Sequence, residues 1–496
     1  MKESIDLNLT PPLRELRWNG HTLEAHVDGS IDLELCLDGV RFIAWPRRED
    51  GRYAQIFAYA PGGDTRLCFE VRHSGLPLHA PVQAEWGRAG LRVAPPASST
   101  LDAIDPMVEE RLDLAAARSR AALKPVDIIV PVYNAPAAVA RCLAALRQYT
   151  LDSARLLLID DASTDPAVAP LLAVAAAWPN VRVERNRKNR GFTATVNAGL
   201  DQVGDGDVVL LNADTEVGPD WLGALRRAAY ARAETGSATA VSDNAGAFSV
   251  PELEQDNPLP RGWSAADAAR ALLHDAGLVL PRLPTGNGFC MYLRHDARRL
   301  VGKLDAKAFP QGYGEENDWS QRAERHGFRH VIAGNVFVAH ARSMSFGEER
   351  RRELGLAGMQ VLRKRYPGYE AAVGAQLFSW QRLVLNWRVR RLWAMAGSAP
   401  RARVLLGDGA SAMAWSGWEV WRLRHHHKVI RLLDADGSEQ GSAEVDALPA
   451  ALTAWLQRHG FEAVTTAGVV GEVAGLLGFA CAERPADIRY AFRAAI

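Results

Sequence analysis

Two patterns of hydrophobic spacing divide this chain. Up to about residue 100 the apolar positions alternate with polar ones. The alternation is clear in Ser30-Ile31-Asp32-Leu33-Glu34-Leu35-Cys36-Leu37-Asp38-Gly39 and again in Arg66-Leu67-Cys68-Phe69-Glu70-Val71-Arg72. A period of two marks strands with one buried face, and turn signals such as Asp50-Gly51 and Pro61-Gly62-Gly63-Asp64 separate them. Residues 1–100 are therefore expected to form a small β-sandwich. Pro95 to Thr100 reads as a linker, and Met107 to Leu123 as a helix within a connecting segment 101–124.

From Val126 the alternation gives way to short continuous apolar runs separated by helical periodicity. Val126–Val130, Leu156–Ile159, Val181–Val183 and Val208–Leu211 read as strands, and Ala137–Gln148 as a helix with Asn134 and Pro136 at its start. This order predicts a mostly parallel sheet over residues 125–365. Residues 366–400 turn helical and rich in Trp and Arg: Trp380, Trp387 and Trp393 recur near one helix face. A helix docked on the central domain is the simpler expectation, and contact with an anionic membrane the alternative. A small α/β unit, 401–496, follows, with strands near Val404 and Trp418–Trp421 and a helix near Leu448–His459.

Composition narrows the class. Lys plus Arg and Asp plus Glu are both 58, so no global field favours nucleic acid as a partner. Five cysteines without a CxxC pair point to a reducing compartment and no structural zinc. The N-terminus lacks the apolar core of a signal peptide, and no run is long enough to span a bilayer. A cytoplasmic location is expected, with the inner face of the membrane as a peripheral alternative.

The candidate chemistry sits where strands end. Val208-Val209-Leu210-Leu211 stops at Asn212-Ala213-Asp214, delivering a carboxylate to the edge of a sheet where ligands bind in open α/β folds. Such a carboxylate suits a hard divalent cation shared with phosphates, although Asp at a strand end is also ordinary turn chemistry. Pro131-Val132-Tyr133-Asn134 and Asp160-Asp161-Ala162-Ser163 end two further strands. Asn189-Arg190-Gly191 leads into a helix that carries Asn197. Beyond Gly286-Asn287-Gly288-Phe289 comes Gly312-Tyr313-Gly314-Glu315-Glu316-Asn317-Asp318, whose acids also complement a helix N-terminus.

Taken together and in this order, these segments resemble the family-two inverting glycosyltransferases of GT-A fold, and within them the soluble O-antigen and rhamnosyltransferase-like branch. The resemblance covers about residues 125–350. It implies a GT-A central domain flanked by the β-sandwich and the small C-terminal unit. Pro131, Tyr133, Asp160 and Asp161 would line a nucleoside pocket, and Asn189, Gly191 and Asn197 would shape the donor site. Asp214 would hold Mn²⁺ or Mg²⁺, with His340 near the metal or the leaving phosphate. Asn212 stands where many members carry an acid, so it would meet the sugar as a neutral amide. Glu316 matches the second acid of the family's Glu-Asp motif, the general base, and Asp318 is the reserve candidate. Ser343 and Ser345 to Gly347 resemble a tail that closes over the donor.

The resemblance implies transfer from a dTDP- or UDP-sugar, rhamnose among them, to a lipid-linked or oligosaccharide acceptor in bacterial surface polysaccharide assembly. The Gln-x-x-Arg-Trp motif of processive synthases is missing, since Gln321-Arg322-Ala323-Glu324-Arg325-His326 has no Trp. Transfer of one or a few sugars is expected. A nucleotidyltransferase would need a Gly-rich loop with a basic residue after the first strand, where Pro131–Pro136 stands instead. The alternative from another class is a catalytically silent scaffold of an assembly complex, or a glycan-binding protein using Trp18, Trp45 and Trp86. Core packing is the commoner fate of such Trp residues.

Overall fold

The computed structural model describes residues 3–4, 9–19, 22–37, 39–45, 47, 51–56, 65–87, 90–93, 126–253, 255–341, 348–377 and 379–493. The expected linker 95–100, the helix 107–123, the turn 61–64 and the tail 343–347 lie outside them. The chain divides into two compact units: Met1–Val108 with Trp380–Met395, and Glu109–Ser379 with Ala396–Ile496.

The first unit holds two antiparallel sheets. One pairs Glu3–Ser4, Leu13–Asn19, Thr22–Val27 and Tyr53–Ile56; the other contains Leu33–Leu37, Val40–Trp45, Thr65–His73, Leu76–Pro77, Val82–Gly87 and Gly90–Val93. The period-two pattern explains the burial: Leu33, Leu35 and Leu37 point into one core while Glu34 points away. Trp18 and Trp45 belong to that core, at 5% and 3% exposure, which removes them as sugar-stacking platforms.

The Trp/Arg-rich helix Trp380–Ala394 corrects an expectation. It belongs to the first unit: Leu383, Val384 and Trp387 enter the same core as Trp18 and Trp45. Arg390 donates to the carbonyl of Phe42, on the strand Val40–Trp45. Spacing along a helix identifies its apolar face but not the surface that receives it.

The second unit is built on a seven-stranded sheet. Its order is Val181–Arg185, Ala154–Asp160, Val126–Val132, Val208–Leu211, Cys290–Leu293, Thr235–Val241 and Arg329–Phe337. The first four strands are mutually parallel; Cys290–Leu293 runs antiparallel to both its neighbours. Helices Pro136–Tyr149, Val168–Ala176 and Phe192–Leu200 follow three of the strands. The strand order reverses beside Val126–Val132. Two carboxyl-end loops, starting at Tyr133 and at Asn212, therefore open outward at one switch point.

The same unit contains a smaller five-stranded sheet, Glu439–Glu444, Val429–Leu433, Glu419–His426, Arg403–Leu406 and Ala463–Val464. Arg270 on the helix Ala265–Asp275 holds Glu462 at 2.6 Å, and Arg403 reaches Asp275 at 3.2 Å. A bridge also pairs Leu151 with Tyr490. Among the described residues no helix is long and apolar enough to cross a membrane.

Candidate active site

A cavity of about 890 Å³ lies at the carboxyl edge of the seven-stranded sheet. Its wall includes Pro131, Tyr133, Asp161, Asn189, Gly191, Asn212, Asp214, Glu316 and His340. Two loops are tied together beneath it. Asn134 and Ala135 turn the chain through left-handed backbone, φ 55° and 53°. The Asn134 side-chain oxygen accepts from the backbone N–H of Thr164 (2.8 Å) and Asp165 (3.0 Å), and its own N–H donates to Ser163 Oγ at 2.9 Å. The sequence marks Asn134 as a helix start and as part of the turn that ends Val126–Val132. The tolerance of Asn for left-handed backbone was the available signal for more.

Asp161 shapes the opposite wall. Its carboxylate accepts from the backbone N–H of Arg190 and of Gly191, each at 2.9 Å, and from Asn186 Nδ2 at 2.7 Å. Gly191 sits at φ 81°, and a Cβ there would stand 2.4 Å from the Pro310 carbonyl oxygen. Only glycine fits both the backbone and the space.

Three expected site residues lie off the cavity wall, each with its polar atoms occupied. Asp160 is 2% exposed and is held by Arg185 and by the Ser163 N–H. Asn197 donates to the Leu304 carbonyl at 2.8 Å and accepts from the Leu304 N–H at 3.0 Å, pinning that segment. Asp318 is 1% exposed: one oxygen accepts from Arg365 and Tyr366, both at 2.7 Å, and the other from Arg322 at 2.9 Å. Buried, held by Arg365, Tyr366 and Arg322, and off this cavity's wall, the Asp318 carboxylate does not face the cavity that its expected reserve role as base would require.

Asp214 and His340 meet because Thr215–Glu216 pairs antiparallel with Ala339–His340, Thr215 opposite His340. His340 Nδ1 is 3.0 Å from the Asn244 carbonyl, and its ring stacks on Phe289 with centroids 5.4 Å apart. A carbonyl can only accept, so Nδ1 donates to it and Nε2 turns inward. Nε2 faces Asp214 Oδ1 at 3.3 Å, with Asn212 Nδ2 at 3.4 Å. So close an approach calls for a proton or a cation between them. Among the described residues no cluster of three His, Cys, Asp or Glu side chains forms a full cage. Asp214 and His340 offer one oxygen and one nitrogen to a divalent ion, whose other ligands would come from substrate and water. The lining adds a reason: it includes the carboxyl groups of Asp161, Asp214, Glu315 and Glu316, and among the described residues no Lys or Arg.

Glu315 and Glu316 open the helix Glu315–Arg325 on the far side of the cavity. Glu315 is 2% exposed and accepts from the Gly314 N–H at 3.0 Å. Burial, reinforced by the charge of the neighbouring Glu316 and a side-chain hydrogen bond with it, pushes the Glu315 carboxyl well above the ordinary range. The Oε2 atom of Glu316 is buried without a hydrogen-bond partner among the described residues. A buried acceptor left open beside a cavity can take a proton from whatever binds there. Tyr369 and Val373, one turn apart on the helix Tyr369–Leu377, also line this end. No sequence signal pointed to them, since they lie some 50 residues beyond Glu316.

A mostly parallel sheet with its cavity at the switch point is common to many α/β enzymes; the family match over residues 127–266 makes this one a GT-A, nucleotide-diphospho-sugar transferase fold. The chain is a glycosyltransferase, and residues 127–266 form its family-two domain, matching the family described as Glycosyl transferase family 2. That match ends before Glu315–Asp318. The chain is similar to the N-acetylglucosaminyl-diphospho-decaprenol L-rhamnosyltransferase of Mycobacterium tuberculosis, 26% identical over 290 residues, covering 53% of this chain and 89% of the relative. It is also similar to the undecaprenyl-phosphate 4-deoxy-4-formamido-L-arabinose transferase of Serratia proteamaculans, 35% identical over 105 residues, 20% of this chain and 31% of the relative. Among solved structures, the mannosyltransferase PcManGT of Pyrobaculum calidifontis, in complex with GDP-Man and Mn²⁺, aligns with TM-score 0.37 and 16% identity, over 56% of this chain and 78% of that one.

Proposed function

We propose that the enzyme moves a single sugar, with inversion, from a dTDP- or UDP-sugar to a hydroxyl of a lipid-linked or oligosaccharide acceptor in bacterial surface polysaccharide assembly. Rhamnose is the favoured sugar, on the likeness to the mycobacterial rhamnosyltransferase. The enzyme would work in the cytoplasm or at the inner face of the membrane. The observation that carries the reading is the open Oε2 of Glu316, in the same cavity as the Asp214–His340 pair.

In this reading Tyr133, Pro131 and Asp161 border the nucleoside, and the Asn189–Gly191 turn, held by Asp161, gives the donor a close backbone approach. Glu316 takes the proton of the acceptor hydroxyl as its oxygen attacks the anomeric carbon. The bond from that carbon to the diphosphate breaks, and its electron pair leaves with the nucleoside diphosphate. Asn212 meets a sugar hydroxyl or the ion as a neutral amide. Asp214 and His340 would hold Mn²⁺ or Mg²⁺, which supplies positive charge against the departing diphosphate.

The test is hydrolysis and binding across a panel of nucleotide-sugars with Mn²⁺, Mg²⁺ or EDTA, for the wild type and Glu316→Gln. Metal-dependent turnover of one donor should fall by about 10²- to 10⁴-fold in the variant while donor binding persists. An absence of donor binding under every metal condition would overturn the reading in favour of a silent scaffold.

A further inference from the structure

Glu316 sits at the end of a loop that has little stiffness of its own. Gly312, Tyr313 and Gly314 follow one another at φ 91°, 66° and 138°, and the helix begins directly after them. The first turn of a helix is its least bonded part. Two glycines leading into it add conformational freedom. With Oε2 open, the aim of Glu316 depends on how its neighbours Asn317 and Asp318 are held.

Both neighbours are gripped from one place. Asp318 accepts from Arg365 Nη1 and Tyr366 OH, each at 2.7 Å. Asn317 donates to Tyr369 OH. Arg365 ends the helix Glu348–Arg365, and Tyr369 starts the next. The same helix touches the glycine loop directly: a Cβ on Gly358 would stand 1.8 Å from the Tyr313 carbonyl oxygen. Phe309, Leu362, Tyr366 and Tyr369 form a buried cluster behind these contacts. Arg365 also holds Asp305 at 2.9 Å, in the segment whose Leu304 is pinned by Asn197.

We propose that Arg365, Tyr366 and Tyr369 are positioning residues that aim Glu316 at the acceptor oxygen, which makes the segment 358–369 a clamp on the base. This rests on the reading of Glu316 as general base. A base displaced by about 1 Å loses on the order of 10²-fold in rate, so the clamp acts on turnover and not on donor affinity.

The test uses the full chain carrying Tyr366→Phe with Tyr369→Phe, which removes the two hydroxyls and keeps both rings in the buried cluster. Hydrogen exchange read by mass spectrometry should accelerate in peptides spanning 312–320 and stay unchanged over 126–165. Unchanged exchange at 312–320 overturns the clamp, and this readout requires no substrate. Hydrolysis of the panel donor should fall by about 10- to 100-fold with donor affinity held within about twofold. In the Glu316→Gln background the same pair should cost nothing further, because there is no base left to aim. Equal losses in both backgrounds would overturn the positioning role while leaving the base intact. A Glu316→Gln protein as active as wild type would instead overturn the base reading itself.

Discussion

Nε2 of His340 stands 3.3 Å from Oδ1 of Asp214, across the short strand pair that sets Thr215 opposite His340. The Asn244 carbonyl takes up Nδ1, so Nε2 is the atom that meets the carboxylate, joined to it by a proton or a cation. If that is a divalent ion, Asp214→Asn should weaken it sharply. Outer-shell partners of metal sites typically contribute 10- to 100-fold in affinity, and a direct ligand should contribute no less. Mn²⁺ titration followed by electron paramagnetic resonance measures this without turnover. Equal Mn²⁺ affinity in wild type and variant would leave the pair as a proton-sharing contact.

Gly191 carries a second prediction. Its φ of 81° and the 2.4 Å approach to Pro310 leave no room for a methyl group. Gly191→Ala should destabilise the second unit, the backbone strain alone costing about 1–3 kcal/mol. Because the Gly191 N–H is bonded to Asp161, donor affinity should fall as well. Urea unfolding and calorimetric titration of the donor test the two effects separately. A variant as stable as wild type would mean that the turn relaxes freely.

Two buried groups give stability opposite dependences on pH. His330 is wholly buried, accepts at Nδ1 from Ser237 and donates at Nε2 to the Ser320 carbonyl; burial lowers its pKa from 6.5 to about 4. The unfolded chain binds that proton first as pH falls, so stability should drop from pH 6.5 towards 4. Glu315 acts in the other sense. Its raised pKa means the folded protein keeps a proton that the unfolded chain releases near 4.5, so its contribution is lost as pH rises above that value. Glu315→Gln, which mimics the protonated acid, should therefore gain in melting temperature over wild type as pH increases from 5 to 8. Parallel melting curves over that range would exclude the protonated Glu315.

Much of this was legible from periodicity. The strands Val126–Val132 and Val208–Leu211 and the helix after Asn134 are written as apolar runs, the first broken by Asp127, and a helical repeat, and those runs are almost wholly buried. More could have been read from the same rules. Asp160 and Asp161 are consecutive at a strand end, where successive side chains take opposite faces, so both were unlikely to border one cavity; Asp160 turned to Arg185 and Asp161 to the Gly191 loop. Glu316 and Asp318 are two apart on a helix, roughly 200° around its axis, and they too face different surroundings. No local rule could supply Arg365, Tyr366 and Tyr369. Their role depends on the turn at Pro367-Gly368 between two helices and on partners near fifty residues away.

The helix Trp380–Ala394 shows the same limit, and its assignment can be tested. Its apolar spacing was readable, yet only the fold shows Trp387, at 1% exposure, sealed in the core of the first unit beside Leu383 and Val384. A membrane-contacting helix would instead present such a residue to lipid. Trp387→Ala should cost about 3–5 kcal/mol, the range for deleting a large aromatic side chain from a packed core. Met395→Ala, on a residue 72% exposed, is the control, expected to stay within about 0.5 kcal/mol. The measurement is urea unfolding of the full chain followed by circular dichroism, with the strand-rich transition of the first unit as the readout. Cosedimentation with phosphatidylglycerol vesicles should not differ between wild type and Trp387→Ala. An unchanged unfolding curve together with lost vesicle binding would return this helix to the membrane surface.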